Sequence, residues 1–265
     1  MAGPLDGVLV ADFSRVLAGP LCTVNLADLG ATVVKVERPG AGDDTRAWGP
    51  PWSAASSTYF ESVNRSKLSV ALDLSNPGDH ETALELATRA DVLVENYRPG
   101  ALERYGLGFE QVRSVNPGIV YCSITGFGEN EGADLMGYDF VVQAMGGLMS
   151  ITGEPDGQPT KAGVALVDVL TGKDATIGVL AALASRERSG RGCRVQVNLL
   201  SSLLGSLVNQ AQGYLETGAR QGGWVTATPR SPPTRRCAAG TDCSRWPAAT
   251  TASSSGSPRS SAPRG

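Results

Sequence analysis

Residues 7–38 read GVLVADFSRVLAGPLCTVNLADLGATVVKVER, and this stretch decides the fold. The apolar run at 7–13 is typical of a buried strand, and residues 20–29 predict a short apolar helix with proline near its first position. Gly30 closes that helix, and residues 31–38 predict a second strand. A strand, a helix and a strand within about 35 residues indicate a parallel βαβ unit with a right-handed crossover.

The same alternation continues along the chain. Further strands are predicted over residues 68–74, 91–96, 119–125 and 194–198, and further helices through Leu102 and Arg104 and over residues 80–90, 137–149 and 199–216. This pattern makes the fold class α/β, with a Rossmann-like open parallel sheet and flanking helices. The Gly-x-Gly-x-x-Gly loop of dinucleotide-binding folds is absent, which makes a generic nucleotide-binding module a distant alternative.

Residues 163–183 carry the candidate catalytic residue. Residues 164–167 form an apolar run of strand length, and from Gly172 onward the apolar residues recur near helical spacing. Asp168 lies at this predicted junction of strand and helix, near the positive end of the helix, where backbone N–H groups lack partners. On these residues alone two roles stay open. Asp168 caps the helix, or it is a nucleophile whose charge is stabilised there together with any oxyanion formed in its attack.

Composition narrows the possible chemistry. The single histidine, His80, lies in a polar stretch and is expected at the surface, and one histidine excludes a multi-histidine metal site. The five cysteines are scattered without a Cys-x-x-Cys pair, which argues against a zinc ribbon or a disulfide scaffold and favours a reducing cytoplasm. The chemistry is therefore expected to use carboxylates, tyrosine, lysine or a cofactor.

Charge and hydropathy exclude further classes. The net charge is −3, but residues 219–265 hold seven arginines and one acidic residue, so the rest of the chain is strongly acidic. An acidic body does not favour nucleic-acid binding. We expect no membrane span and no secretory signal, because the chain shows no run of about 18 apolar residues and no basic-then-apolar leader.

Two other segments are candidate ligand contacts. Glu37 and Arg38 end the second strand, where nucleotide-binding folds often meet a ligand phosphate; a plain surface ion pair is the alternative. The long irregular segment 39–62 carries aromatic residues that include Trp48 and Tyr59. Long loops inside compact domains are usually functional, so this segment is expected to serve a site.

A series of short motifs runs through residues 4–217. They are Pro4-Leu-Asp-Gly-Val8, Ala18-Gly-Pro20, Leu29-Gly-Ala-x-Val-Val-Lys-Val-Glu-Arg38-Pro-Gly, Asn64-Arg-Ser-Lys67, Asp91-Val-Leu-Val-Glu-Asn96-Tyr-Arg-Pro-Gly-Ala101, Asn116-Pro, Ser123-Ile-Thr-Gly-Phe-Gly128, Gly137-Tyr-Asp139 and Gly190-Arg-Gly192. In this order and at this spacing the chain resembles the class III CoA-transferases. That family includes formyl-CoA, carnitine-CoA and succinyl-CoA-dependent transferases and the related α-methylacyl-CoA racemases.

The resemblance implies a site and a chemistry. Asp168 aligns with the family's catalytic aspartate, which attacks a donor acyl-CoA to form a mixed anhydride; CoA then forms an aspartyl thioester, which an acceptor carboxylate resolves. The implied partners are small molecules, a carboxylic acid and coenzyme A bound as acyl-CoA, with no metal. The implied contacts to coenzyme A are Val16, Leu17, Ala18, Arg38, Leu72 to Ser75, Asn96, Tyr97, Arg98, Arg104, Tyr138 and Asp139.

Two positions distinguish this chain within the family. Formyl-CoA transferase has glutamine where this chain has Leu17, which argues against a formyl or oxalyl substrate. The racemases have a histidine where this chain has Tyr138, and tyrosine cannot replace histidine near neutral pH, so an acyl-CoA racemase or epimerase is the alternative. Residues 137–147 and 198–202 are most similar to the dicarboxylate transferases that use succinyl-CoA.

The resemblance ends near residue 218. Family members continue into a small second domain and form interlocked homodimers, so residues 1–218 are expected to be part of the large domain of a truncated or frameshifted chain. In residues 219–265, 40 of 47 positions are Ser, Ala, Arg, Pro, Thr or Gly, which predicts a disordered low-complexity tail. An inactive remnant that at most binds CoA is therefore a further alternative.

Overall fold

Six parallel strands form one sheet in the computed structural model, which describes residues 3–154 and 156–219. The strands are β1 (Leu9–Asp12), β2 (Thr32–Glu37), β3 (Leu68–Ala71), β4 (Val92–Glu95), β5 (Val120–Thr125) and β6 (Arg194–Asn198). Their order across the sheet is β3-β2-β1-β4-β5-β6, and every neighbouring pair is parallel. The predicted α/β class with an open parallel sheet is confirmed.

Helices follow or connect the strands within the described residues. They are α1 (Ala18–Asp28), α2 (Thr58–Asn64), α3 (Pro77–Arg89), α4 (Phe109–Val115), α5 (Asp139–Met145), α6 (Leu166–Ser189), α7 (Leu199–Ser206) and α8 (Val208–Thr217). Short 3-10 turns occur at Asp44–Ala47, Glu103–Tyr105 and Leu148–Ile151. Each predicted helix therefore has a counterpart, although the predicted helix through Leu102 and Arg104 is a 3-10 turn followed by α4.

Consecutive residues of the central strands enter two separate hydrophobic layers, because strand side chains point alternately to opposite faces. In β4, Val92 and Val94 pack in a layer with residues of α1 and α6, whereas Leu93 packs in a layer with residues of α3 and α4. All residues of β4 are buried. This two-sided burial explains why the strand reads as an uninterrupted apolar run rather than an alternating one.

The order in which strands are added to the sheet reverses between β1 and β4, which are neighbours in the sheet. Strands β2 and β3 lie on one side of β1, and β5 and β6 lie beyond β4. In open α/β sheets, ligands bind in the crevice outside the carboxyl ends of the strands at such a switch point. The topology therefore brings the loops after Asp12 and Glu95 side by side, where several predicted ligand contacts occur in the sequence.

The prediction of a strand at residues 164–167 is wrong. Helix α6 begins at Leu166 and runs for 24 residues, so Asp168 lies in its first turn rather than at a strand-to-helix junction. A four-residue apolar run does not distinguish a strand from the start of a buried helix. Val167 is apolar because it is fully buried in the core, and not because it belongs to the sheet.

Smaller differences concern the ends of helices. The predicted helix over 199–216 is two helices, α7 and α8, that meet at Leu207. The predicted helix over 137–149 ends at Met145, because Gly147 adopts φ of 85° and a 3-10 turn follows. Helix α2 forms within the segment predicted to be irregular. The predicted disordered tail, except for Ala219, lies outside the described residues.

Among the residues that the structure describes, no helix has both the length and the apolar character needed to cross a membrane.

Candidate active site

Asp168 lies in the first turn of α6, and a side chain from another helix caps that turn. The Oδ1 atom of Asp139, the first residue of α5, accepts hydrogen bonds from the backbone N–H groups of Val167 at 2.7 Å and Asp168 at 3.2 Å. No side chain within α6 makes a capping hydrogen bond. The interpretation of Asp168 as the cap of this helix is therefore wrong, because Asp139 fills that role and leaves the Asp168 carboxylate available.

The environment of the Asp168 carboxylate opposes its charge. The side chain is partly buried, and within the described residues it has no hydrogen-bond or ion-pair partner. Burial and, second, the nearby charge of Asp139 raise the pKa of Asp168 to about 7. A weakly solvated carboxylate without a fixed partner is suited to attack an electrophilic carbon.

Tyr59, from the long segment 39–62, lies close enough to the same carboxylates for their charges to act on its phenol. Burial and then the charges of Asp168 and Asp139 raise the pKa of Tyr59 to about 12, so its phenol stays protonated and can donate a hydrogen bond. Its ring packs edge-on against Trp48 with 5.3 Å between centroids. The aromatic segment that was singled out in the sequence thus reaches the candidate site.

A second group of predicted residues meets at the switch point of the sheet. The backbone N–H of Arg15 donates to Asn96 Oδ1 at 2.9 Å, and Asn96 Nδ2 donates to the Arg15 carbonyl at 2.7 Å. The Arg15 guanidinium also lies 5.5 Å from the centre of the Tyr97 ring. These contacts join the loop after β1 to the loop after β4.

The backbone between β1 and α1 is strained. Val16 adopts φ of 70°, which is unfavourable for a β-branched residue and marks a position held by its surroundings. Its N–H group donates to Asp43 Oδ2 at 3.2 Å. Asp43 forms a fully buried ion pair with Lys35 at 2.9 Å, so the strained turn rests on a rigid charged support.

Helix α1 begins directly after the loop that follows β1. Leu17 precedes the helix without a side-chain capping bond, and the first turn holds no acidic residue. Free N–H groups at a helix start favour an anionic ligand. Ala18 itself is buried and packs in the core.

The residues around Asp168 and the residues at the switch point are connected by the packing of α1 against α6. A Cβ atom at Gly172 would lie 2.7 Å from the carbonyl oxygen of Ala18, so only glycine allows this approach. Asp168 precedes Gly172 by one helical turn and lies on the same face of α6. The candidate nucleophile is therefore adjacent to the start of α1.

The remaining predicted contacts lie at different places around the carboxyl edge of the sheet. Arg38 is exposed and pairs with Asp44 at 2.6 Å, whereas the buried Glu37 is held by Arg46 in two hydrogen bonds of 2.7 Å. The alternative of a Glu37–Arg38 surface pair is therefore wrong. Leu72 is buried just after β3, and Ser75 donates to Asp73 Oδ1 at 2.6 Å.

Three residues predicted to contact coenzyme A have exposed side chains. Arg98 and Arg104 are exposed, and Tyr138 is 61% exposed immediately before α5. Among the described residues, no hydrogen bond or ion pair joins Arg104 to Asp168 or to Asn96. His80 lies at the surface with its ring near the Tyr105 carbonyl.

Two cavities open at this edge of the sheet. The smaller, of about 50 Å³, is lined by residues of the switch point that include Arg15, Arg38 and Tyr97. The larger, of about 410 Å³, lies at the ends of β5 and β6 and has a polar lining with Ser123 and Glu129. The larger cavity contains none of the predicted site residues, so the switch point is the better candidate for the ligand.

Sequence reasoning missed three buried residues that support the candidate site. Asp43 and Lys35 hold the strained turn at Val16, and Gln143 contacts Asp139. A polar residue inside an apolar helical stretch was the available signal for Gln143, since a buried amide is kept only when it is hydrogen-bonded. No comparable signal existed for Asp43, which lies in an irregular acidic segment.

Comparison with known proteins places these observations in a family. A model of the family described as CoA-transferase family III matches residues 5–242. The chain is 49% identical over 225 residues to the succinyl-CoA:glutarate CoA-transferase of Mus musculus, covering 84% of this chain and 52% of the relative. It is 47% identical over 222 residues to the succinate–glutarate CoA-transferase of Agrobacterium fabrum, covering 81% and 56%.

A solved structure gives the same result for the fold. A CAIB/BAIF family protein from Brucella suis superposes with a TM-score of 0.84 at 43% identity, over 86% of this chain and 62% of that protein. The chain spans about half the length of the curated relatives it matches.

Proposed function

Because this chain belongs to CoA-transferase family III, we propose that it transfers coenzyme A between an acyl-CoA thioester and a carboxylic acid, with Asp168 as nucleophile. The observation that carries the proposal is the Asp168 carboxylate itself. It is partly buried, has no bonded partner among the described residues, and lies at the start of α6 with a pKa raised to about 7 by burial and by Asp139.

The proposed reaction balances without a metal or a histidine. A carboxylate oxygen of Asp168 attacks the thioester carbonyl, the CoA thiolate leaves, and a mixed anhydride forms. The thiolate then attacks the aspartyl carbonyl, which releases the donor acid and leaves an aspartyl thioester. The acceptor carboxylate attacks that thioester to form a second anhydride, and the thiolate finally attacks the acceptor carbonyl and frees Asp168.

Tyr59 is the proposed stabiliser of the oxyanions in these steps. Its phenol is protonated at neutral pH, and burial and the neighbouring carboxylates raise its pKa further, to about 12. A fixed donor in a partly dehydrated site stabilises developing negative charge more than water does. The α6 amides of Val167 and Asp168 are already occupied by Asp139 and do not serve this purpose.

Coenzyme A is proposed to bind along the switch point between β1 and β4. Its phosphates require positive groups, and the crevice offers the uncapped start of α1 with the exposed Arg15 and Arg38. Tyr97 adds an aromatic surface beside Arg15. Because α6 packs against the start of α1, a thioester extending from this crevice reaches toward Asp168.

Dicarboxylates are the proposed acids. Two relatives at 49% and 47% identity are named for succinyl-CoA and glutarate or for succinate and glutarate. We propose succinyl-CoA as donor and a short dicarboxylate as acceptor.

The whole protein is proposed to act in the cytoplasm, consistent with the free cysteines Cys22, Cys122 and Cys193. It is further proposed to be a homodimer, since Phe140, Ile177 and other apolar side chains of α5 to α8 are exposed.

Trapping of the acylated aspartate tests the proposal. The protein is incubated with succinyl-CoA and hydroxylamine, digested, and analysed by peptide mass spectrometry. We expect a hydroxamate at Asp168 in the wild type and none in Asp168→Asn, whereas Asp174→Asn, an exposed residue of the same helix, retains it. An unmodified Asp168 with exchange of the α-proton of a 2-methylacyl-CoA would favour the racemase, and neither reaction would favour a remnant.

A further inference from the structure

Gln143 is a fully buried amide in an otherwise apolar turn of α5. A buried amide destabilises a protein unless its donors and acceptor are paired. Here both ends are used. Oε1 accepts from the Ala162 N–H at 2.8 Å, and Nε2 donates to Asp139 Oδ2 at 2.6 Å and approaches the Val164 carbonyl at 3.5 Å.

These bonds connect α5 to the segment that leads into α6. Ala162 and Val164 directly precede that helix, while Asp139 lies one turn before Gln143 on α5. The amide therefore fixes the approach of the chain to the first turn of α6. It also fixes the orientation of the carboxylate that caps this turn.

The two carboxylate oxygens of Asp139 accept hydrogen bonds from different partners. Oδ2 is held by Gln143, and Oδ1 accepts from the N–H groups of Val167 and Asp168. If Oδ2 lost its partner, the carboxylate would be free to rotate about its terminal bond, and the cap would weaken. The position of the Asp168 backbone thus depends on Gln143 through one intervening side chain.

We propose that Gln143 is a positioning residue for the Asp168 carboxylate, acting through Asp139 and the residue 162–164 segment. This inference rests on the proposed role of Asp168 as nucleophile. Gln143 is fully buried, does not line the cavity at the switch point and, among the described residues, has no hydrogen bond to Asp168, so it affects the reaction only through geometry. Small displacements of a reacting group cost large factors in rate, about 100-fold for an ångström.

Two single substitutions change the hydrogen bonds of residue 143 while keeping the size of its side chain. Gln143→Met keeps the length of the side chain and removes all polar contacts. Gln143→Glu keeps the acceptor for Ala162 but presents an oxygen to Asp139 Oδ2 in place of a donor. Both variants are expected to slow the trapping of acyl-Asp168 by about 10-fold or more, with the half-saturating succinyl-CoA concentration unchanged within about twofold.

A swapped pair provides the decisive variant. In Asp139→Asn combined with Gln143→Glu, the donor and the acceptor exchange places, and the charge is conserved. The asparagine oxygen can still cap α6, its amide can donate to the new carboxylate, and that carboxylate can accept from Ala162. The trapping rate is expected to rise at least about fivefold above that of Gln143→Glu alone. Restoration is not expected from a residue that only fills space.

A matched control measures the general effect of losing a structural amide. Asn116 donates to the Ala87 and Ala90 carbonyls at 3.3 and 2.8 Å, close to the end of α6 at Arg186 and not to its first turn. Asn116→Leu is expected to lower the folded fraction without changing the trapping rate per folded molecule. If the Gln143 variants behave like this control, or if the swapped pair is no faster than Gln143→Glu alone, the proposal is overturned.

A readout without catalysis distinguishes this proposal from failure of the proposed function. In the full chain, amide hydrogen exchange at Val167 and Asp168 reports the cap directly. Gln143→Met is expected to speed exchange at these two amides by about 10-fold relative to the rest of α6, and the swapped pair to reverse the change. If the wild type gives no acyl-aspartate, the proposed function fails, and these exchange rates alone decide the positioning role. Unchanged exchange in Gln143→Met overturns it.

Discussion

The Oδ1 atom of Asp139 accepts a hydrogen bond from the backbone N–H of Asp168 at 3.2 Å. Two acidic residues from different helices are thereby held together at the start of α6. The arrangement stabilises the helix, but the second carboxylate raises the pKa of the first beyond the effect of burial. The Asp168 carboxylate therefore lacks much of the stabilisation that water and counter-charges give an exposed carboxylate, which agrees with its proposed role as nucleophile.

Replacing Asp168 by asparagine is expected to stabilise the folded protein at pH 8. The pKa of Asp168 is about 7 in the fold against 3.8 for the free group, so the folded state retains a proton that the unfolded state has released between these values. Wild-type stability therefore falls as pH rises through this window. We expect a gain of about 1–4 kcal/mol at pH 8 for Asp168→Asn and almost none at pH 4, measured by urea unfolding. An equal effect at both pH values, or a pH-dependent effect of Asp174→Asn, would contradict this origin.

The buried pair of Asp12 and Lys67 is expected to be a major support of the crevice. Their charged atoms lie 3.0 Å apart, and both side chains are almost completely inaccessible. Burial opposes ionisation, but Lys67, Lys35 and two hydroxyl groups outweigh it and lower the pKa of Asp12 to about 2. Asp12→Asn leaves a buried ammonium unpaired and is expected to cost about 3–5 kcal/mol in urea unfolding at pH 7. The exposed pair of Glu85 and Arg89 is the comparison, and Glu85→Gln should cost less than about 0.5 kcal/mol.

The Asp12 contribution also has a defined pH dependence. Because the folded pKa is lowered from 3.8 to about 2, this part of the stability is present above the unfolded value and is lost as pH falls through the folded one. The difference between wild type and Asp12→Asn should therefore shrink between pH 4 and pH 2. A difference that stays constant over this range would show that Asp12 acts by packing alone.

Val16→Gly is expected to relieve strain at the entrance to α1. The left-handed conformation of Val16, with φ of 70°, costs a β-branched residue about 1–3 kcal/mol, and glycine adopts it freely. The greater flexibility of unfolded glycine offsets part of the gain, so we expect a net stabilisation of about 0.5–1 kcal/mol. Val115→Gly, in the last turn of α4, should destabilise instead by about 0.5–1 kcal/mol. Destabilisation by both variants would mean that Val16 is not strained.

Asn96→Leu is expected to weaken binding of coenzyme A. Asn96 makes a reciprocal pair of hydrogen bonds with the backbone of Arg15, and these bonds set the distance between the loops after β1 and β4. Without them the crevice loses its preformed shape, and the Kd for coenzyme A in calorimetric titration should rise by about 10-fold. Asn76→Ala removes only the cap of α3 and should leave the Kd unchanged. An unchanged Kd in Asn96→Leu would remove the switch point from the proposed binding site.

The sheet could be predicted from the sequence because its strands are short apolar runs separated by turns and helices. All six strands of the described residues were expected, but the extra strand at residues 164–167 was not a strand. Its apolar residues begin a helix whose cap comes from Asp139, 28 positions before Val167. Local patterns do not report such long-range caps, so the start of α6 could not be located by periodicity.

The sequence predicted which residues to consider for the candidate site, but not the contacts that those residues make. The resemblance implied roles for Asp168, Asn96 and Val16, and these roles stay predictions. The structure places Val16 and Asn96 in the loops after β1 and β4, and Asp168 in the first turn of α6. The roles of Asp139 as a cap and of Gln143 as its support depend on hydrogen bonds between elements. The pairing of Glu37 with Arg46 likewise required the fold, since Arg38 was the nearer partner in the sequence.

Transfer of an oxygen atom tests the central claim most directly. The protein is incubated with succinyl-CoA and glutarate labelled with ¹⁸O in both carboxylates, and the α6 peptide is analysed by mass spectrometry after turnover. If Asp168 is acylated through its own oxygen, an acceptor oxygen remains on its carboxylate, and we predict ¹⁸O at Asp168 and at no other residue of the peptide. Formation of glutaryl-CoA with an unlabelled Asp168 would contradict the account.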